Sequence, residues 1–109
     1  MNNRILGEKG EDLAASVLME KGYDILVRNY VTRAGEIDII ARKGDTVVFC
    51  EVKSRMSGKF GGGREAVDER KQARIRRCAE LYLMNTHLPY EYCEFHVIEI
   101  SVEHLEACF

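Results

Sequence analysis

Residues 33–55 read RAGEIDIIARKGDTVVFCEVKSR, and the fold turns on how this stretch is divided. Two apolar runs, residues 36–41 and 46–53, flank the polar linker Arg42-Lys43-Gly44-Asp45. Gly-Asp between two β-prone runs predicts a hairpin, because glycine supplies the positive φ of a tight primed turn. With the turn centred on Gly44-Asp45, Asp38 falls opposite Glu51 and Glu36 opposite Lys53. Residues two apart on a strand share a face. Glu36, Asp38, Glu51 and Lys53 are therefore expected on one patch, three acids beside one lysine.

A chain of 109 residues with 46% hydrophobic and 31% charged residues fits one compact soluble domain, residues 1–109. The net charge of -2 conceals an uneven distribution: residues 53–77 carry nine Lys and Arg against three acids, and residues 78–109 carry none against six. Local basic density governs contact with a polyanion, so the mildly acidic total does not exclude a nucleic-acid partner. Cys50, Cys78, Cys93 and Cys108 form no CxxC pair and match no zinc module. Free thiols in a reducing cytoplasm are expected. The opening MNNRILGEKGEDL lacks the apolar run of a signal peptide, and no stretch approaches membrane-spanning length, so no membrane partner is expected.

Outward from the hairpin, residues 4–21 read as a helix stopped by Gly22. Leu6, Leu13, Ala14, Val17 and Leu18 make its apolar face, with Glu11 on or beside it. An acid there is either a rim residue bonded to a neighbouring base or a member of a polar site. Residues 23–33 (YDILVRNYVTR) predict a first strand. Ser54 to Arg64, with SGKFGGG inside, reads as a loop; its glycines fit no phosphate-binding fingerprint. A second helix is predicted over residues 65–85, with Val67, Ile75, Cys78, Ala79, Tyr82 and Leu83 apolar and Gln72 extending the inward stripe. Its basic residues Arg70, Lys71, Arg74, Arg76 and Arg77 form either a solvated face or a phosphate-binding one. Tyr92–Val102 reads as a last strand. The fold class is α/β, a mixed sheet flanked by helices in the order α-β-β-β-α-β.

Opposed carboxylates suit Mg²⁺ or Mn²⁺, hard cations that take oxygen ligands and keep several waters. Such a cation acidifies water and offsets charge building on a phosphate, and a nearby lysine can orient that water, or accept its proton where the local pKa is depressed. Asp38, Glu51 and Lys53 supply these groups. The plainer alternative is a cross-strand ladder of ion pairs on an exposed sheet face, worth about 0.2–1 kcal/mol per pair.

Asp38 followed by Glu51-Val52-Lys53 resembles the PD-(D/E)xK signature of restriction-endonuclease-like nucleases. Over nearly its whole length the sequence also resembles the YraN family of small bacterial proteins, candidate endonucleases. The resemblance is carried by Gly10-Glu11-Asp12-Leu13-Ala14, Gly22-Tyr23-Asp24-Ile25-Leu26, Arg28-Asn29-Tyr30, Gly35-Glu36-Ile37-Asp38, Val48-Phe49-Cys50-Glu51-Val52-Lys53, Ala66-Val67 and Lys71-Gln72. The layout is similar to that of archaeal Holliday-junction resolvases. Two residues depart from the pattern: Cys50 replaces an aliphatic residue, and His96 stands where the last strand commonly has an aspartate.

The resemblance implies a restriction-endonuclease-like core and a metal-dependent phosphodiesterase. Asp38, Glu51 and the Val52 carbonyl would hold Mg²⁺ or Mn²⁺, with Glu11 completing the acidic cluster. Lys53 would serve the attacking water, and Gln72 would help position the site. Arg55, Lys59, Arg64, Arg70, Lys71, Arg74, Arg76 and Arg77 are the expected nucleic-acid contacts. DNA is the expected substrate, with branched and single-stranded forms as candidates. Symmetric cutting of two strands would require a homodimer. The alternatives are a non-catalytic nucleic-acid-binding module of the same fold, and a purely structural or dimerising protein.

Overall fold

The structure is a computed structural model and describes residues 3–56 and 67–109. Its elements are α1 (Asn3–Glu20), β1 (Asp24–Thr32), β2 (Gly35–Lys43), β3 (Thr46–Met56), α2 (Glu69–Asn85) and β4 (Tyr92–Val102). One four-stranded sheet runs in the order β1-β2-β3-β4. β1–β2 and β2–β3 are antiparallel, and β3–β4 is parallel. Parallel neighbours cannot be joined by a tight turn, so the chain crosses through α2 to reach β4. This is the expected mixed α/β arrangement and element order.

The hairpin turn is the two residues Gly44-Asp45, between paired Lys43 and Thr46. Gly44 has φ +61, and Asp45 is not among the positive-φ residues, the type II′ pattern with glycine first. The ladder runs in the predicted register from Lys43–Thr46 to Ile39–Cys50. β3 reads as an unbroken apolar run because it is covered on both faces. Val48 and Cys50 pack with Ile39 and Ala41 under Ala14, Ala15 and Leu18 of α1. Val47 and Phe49 pack with Ile37 and Ile40 under Ile75, Cys78 and Ala79 of α2. Each large side chain so buried is worth about 1.5–3 kcal/mol of transfer free energy. Gly10 lets α1 approach β3 closely, since a Cβ there would run into Ser54 Oγ.

Several boundaries move. α1 ends at Glu20 and leaves Lys21 just beyond it. Leu13, expected on the inward face, is half exposed, and Ala15 is buried in its place. β3 continues through Ser54 and Arg55 to Met56, paired with β4 up to Val102, where a loop was expected. α2 begins at Glu69, because Asp68 caps it by accepting from the Lys71 N–H at 2.8 Å. Residues 57–66, with SGKFGGG, Lys59 and Arg64, lie outside the described residues. All four cysteines are free. Among the described residues, no helix is long and apolar enough to cross a membrane.

Candidate functional site

One register step beyond Ile39–Cys50 stand Asp38 and Glu51. Here side chains replace the main-chain ladder. The Asp38 N–H donates to Glu51 Oε2 at 3.3 Å, and the Val52 N–H donates to Asp38 Oδ2 at 2.7 Å. The other side of Asp38 is irregular too: Arg28 pairs with Ile39 and Tyr30 with Ile37, while Asn29 between them takes φ +54. Asparagine is one of the few non-glycine residues that enters this left-handed region readily. The local irregularity thus leaves Asp38 bonded through its carboxylate rather than buried in a regular ladder.

Asp38, Glu51, Val52, Lys53, Lys71 and Arg74 line one polar hollow of about 310 Å³. Glu51 is only 5% exposed. Burial pushes its carboxyl above the ordinary range and the charge of Asp38 adds to this, while the Asp38 N–H and Lys71 oppose it. Lys71 Nζ lies 3.5 Å from Glu51 Oε1. Glu36 borders the same hollow but is exposed, and among the described residues it makes no ion pair with Lys53, as the register alone had suggested.

Glu11 comes from α1. Burial first, and then the Asp38 charge, raise its carboxyl above the ordinary range. Its buried Oε1 has no hydrogen-bond partner among the described residues. The Arg28 guanidinium stands 3.7 Å away and is itself held by Asp12 at 2.7 Å. Gln72 is exposed rather than on the inward stripe; its amide donates to the Val67 carbonyl at 3.0 Å. It borders a separate groove that also touches Glu51. Cys50 points to the opposite face, its thiol pushed up to about 12 by burial and then by the Glu51 and Asp38 charges. His96 contacts Glu94 at 2.9 Å on β4.

Two oxygen-donor carboxylates, one of them nearly buried, with an orphaned Glu11 oxygen nearby, suit a hard divalent cation that retains water. Among the described residues, no group of three or more His, Cys, Asp or Glu is gathered closely enough to hold an ion. The fit is therefore to a two-carboxylate platform, with Glu11 set apart from it.

The basic residues divide. Arg70 and Arg74 are exposed, and Arg74 borders the hollow. Arg76 lies 4.9 Å over the Phe95 ring, Arg77 pairs with Glu80, and Arg55 is held by Glu99 at 2.8 Å. Lys71 reaches Glu51 and remains partly solvated. Its place at Glu51, and Arg28 at Glu11, were missed from the sequence because both contacts join distant segments. The Arg28-Asn29 dipeptide held the available signal, an asparagine next to a base inside a strand.

A family model described as uncharacterised protein family UPF0102 matches residues 10–100. A UPF0102 protein of Syntrophomonas wolfei is 48% identical over 101 residues, covering 93% of this chain and 88% of the relative. One of Alkaliphilus oremlandii is 45% identical over 116 residues, covering 98% and 99%. One of Dictyoglomus turgidum is 44% identical over 100 residues, covering 92% and 85%. With matches of this extent on both sides, the chain belongs to the UPF0102 family.

Proposed function

We propose that this protein is a metal-dependent nuclease that hydrolyses phosphodiester bonds of DNA. The observation that carries the reading is the coupling of Asp38 to Glu51 in a polar hollow also lined by Lys53, Lys71 and Arg74. Asp38 and Glu51, with the Val52 carbonyl, would hold Mg²⁺ or Mn²⁺, and Glu11 would add a further carboxylate to one side. When bound, the cation would supply an acidified water and charge neutralisation at the phosphate. Lys53 would orient that water and offset charge developing on the phosphate, and Lys71 and Arg74 would draw the phosphate into the hollow. Exposed Arg70 and Arg74 offer charge to the flanking backbone. Gln72, at the neighbouring groove that Glu51 also borders, would help position the site.

The test is a cleavage panel of single-stranded, duplex, flap and four-way DNA, plus RNA, with Mg²⁺ or Mn²⁺, comparing the native chain with Lys53→Ala. Metal-dependent cleavage lost in the variant supports the reading. A second reading is a nucleic-acid-binding module that does not cut. It is favoured by the absence of a third close acid among the described residues, and it predicts retention of DNA by both proteins with no product from either.

A further inference from the structure

The two edges of the sheet are unlike. β1 carries a bulge between Ile25 and Val27, a left-handed Asn29 and the exposed Arg28. These are devices that discourage strand addition. β4 has none of them. Its eleven residues pair with β3 without a break, from Thr46–Tyr92 to Met56–Val102. It contains no lysine, arginine or proline, and among the described residues its outer main-chain groups have no partner strand in the sheet order. Tyr92, Phe95, Val97 and Val102 are all at least 40% exposed. A long, regular edge whose only acids are Glu94 and Glu99 is a template for another strand.

We propose that the occupant is a second copy of this chain, its β4 added antiparallel to the first about a two-fold axis at Val97. The choice follows from the strand itself. One antiparallel register pairs all eleven residues, and its midpoint is Val97. In that register Tyr92 meets Val102, Glu94 meets Ile100, Phe95 meets Glu99 and His96 meets Ile98. No like charges oppose, because Glu94 and Glu99 of each copy face apolar residues of the other. Exposed Leu88 and Tyr90 precede the strand, and Leu105 and Phe109 follow it. Antiparallel pairing sets the leading flank of one copy beside the trailing flank of the other. These flanks add apolar surface to a strand too short to make a standard interface alone.

The axis has a consequence for the candidate site. Val97 is the residue paired with Glu51 across β3 and β4. The two Glu51 Cα atoms would then face each other across three strand spacings, about 14 Å. A two-fold perpendicular to the sheet keeps both hollows on one face. The association itself is independent of the nuclease reading; only the idea of paired cuts rests on it.

The test needs neither metal nor DNA. Light scattering across a dilution series should give twice the chain mass for the native protein and the single chain mass for Val97→Lys, which sets two cations on the axis. If Val97→Lys does not fold, Val97→Cys decides, in a Cys93→Ser/Cys108→Ser background. Directly opposed residues in an antiparallel pair have Cα atoms about 4.5–5.5 Å apart, within disulfide reach. Mild oxidation should give a covalent dimer, and Val31→Cys on β1 in the same background should give none. A monomeric native protein throughout the series, or crosslinking through Val31→Cys in place of Val97→Cys, overturns the proposal.

Discussion

Lys71 Nζ stands 3.5 Å from Glu51 Oε1, bringing a cation from the first turn of α2 to a carboxylate nearly closed to solvent on β3. Removing it strips the acid of a charge that favours ionisation. Lys71→Ala is expected to destabilise by about 1 kcal/mol at pH 8, a modest value because the lysine is partly solvated. Glu51 is neutral well below the ordinary carboxylate range, so the loss should fade there. Urea unfolding at both pH values checks this, and Lys71→Ala should cost nothing when Glu51→Gln is already present.

Glu51 itself has a carboxyl raised by burial and by Asp38. The folded state therefore holds its proton more tightly than the unfolded chain does. Stability falls as pH rises from the unfolded value through the higher folded one, and the cost is complete above it. Glu51→Gln should raise Tm by about 4–8 °C at pH 8, equivalent to about 1 kcal/mol, and leave it unchanged in acid. Thermal melts in chelator would show this, and an equal gain at both pH values would refute the electrostatic cause.

Asp38 and Lys53 should separate in their effects. Asp38→Ala removes the acceptor for the Val52 N–H as well as a proposed metal donor, so both metal-induced stabilisation and cleavage should vanish. Lys53→Ala should keep the metal-induced Tm shift and lower turnover about 10²–10³-fold, the range for a lost preorganised donor. Melting with and without Mn²⁺, beside a single-turnover cleavage assay, distinguishes the two variants.

Binding to DNA should weaken steeply with salt through the exposed face of α2. The double variant Arg70→Ala/Arg74→Ala should flatten the plot of log affinity against log salt by about 2, if each residue contacts one phosphate. Anisotropy titrations over a salt series measure the slope.

Gly10 is a packing test. Ala at this position would meet the Ser54 hydroxyl and should cost about 1–3 kcal/mol, as overpacking does. Ser54→Ala should restore part of the loss in the double variant.

The hairpin was legible because a two-residue turn fixes register, and the Gly44 φ together with the Lys43–Thr46 pair follow from the dipeptide alone. β4 was legible to the residue, since turn signals bound an alternating apolar run. What escaped depended on contacts between distant segments. Gln72 fits an inward stripe by spacing, but it lies in the first turn of α2, where its amide bonds back to the Val67 carbonyl and the side chain stays exposed. Lys71 reads as one more surface base until α2 is laid on the sheet. Arg55 sits in a basic run, yet β3 continues far enough to pair it with Glu99 of β4. No local pattern in the sequence specifies which residues face one another across a parallel crossover.

The ladder between β2 and β3 ends at Ile39–Cys50, while β3 goes on to Met56 against β4. Asp38 is thus anchored to one pair of strands, and Glu51 and Lys53 to another. Across the gap run the two bonds between carboxylates and main-chain N–H groups. A ligand wedged at this fork could spread the acids without breaking a rung of either ladder. The separation of Asp38 and Glu51 is then set by side-chain bonds rather than by ladder rungs, and those are the bonds that a bound ion or phosphate would rearrange.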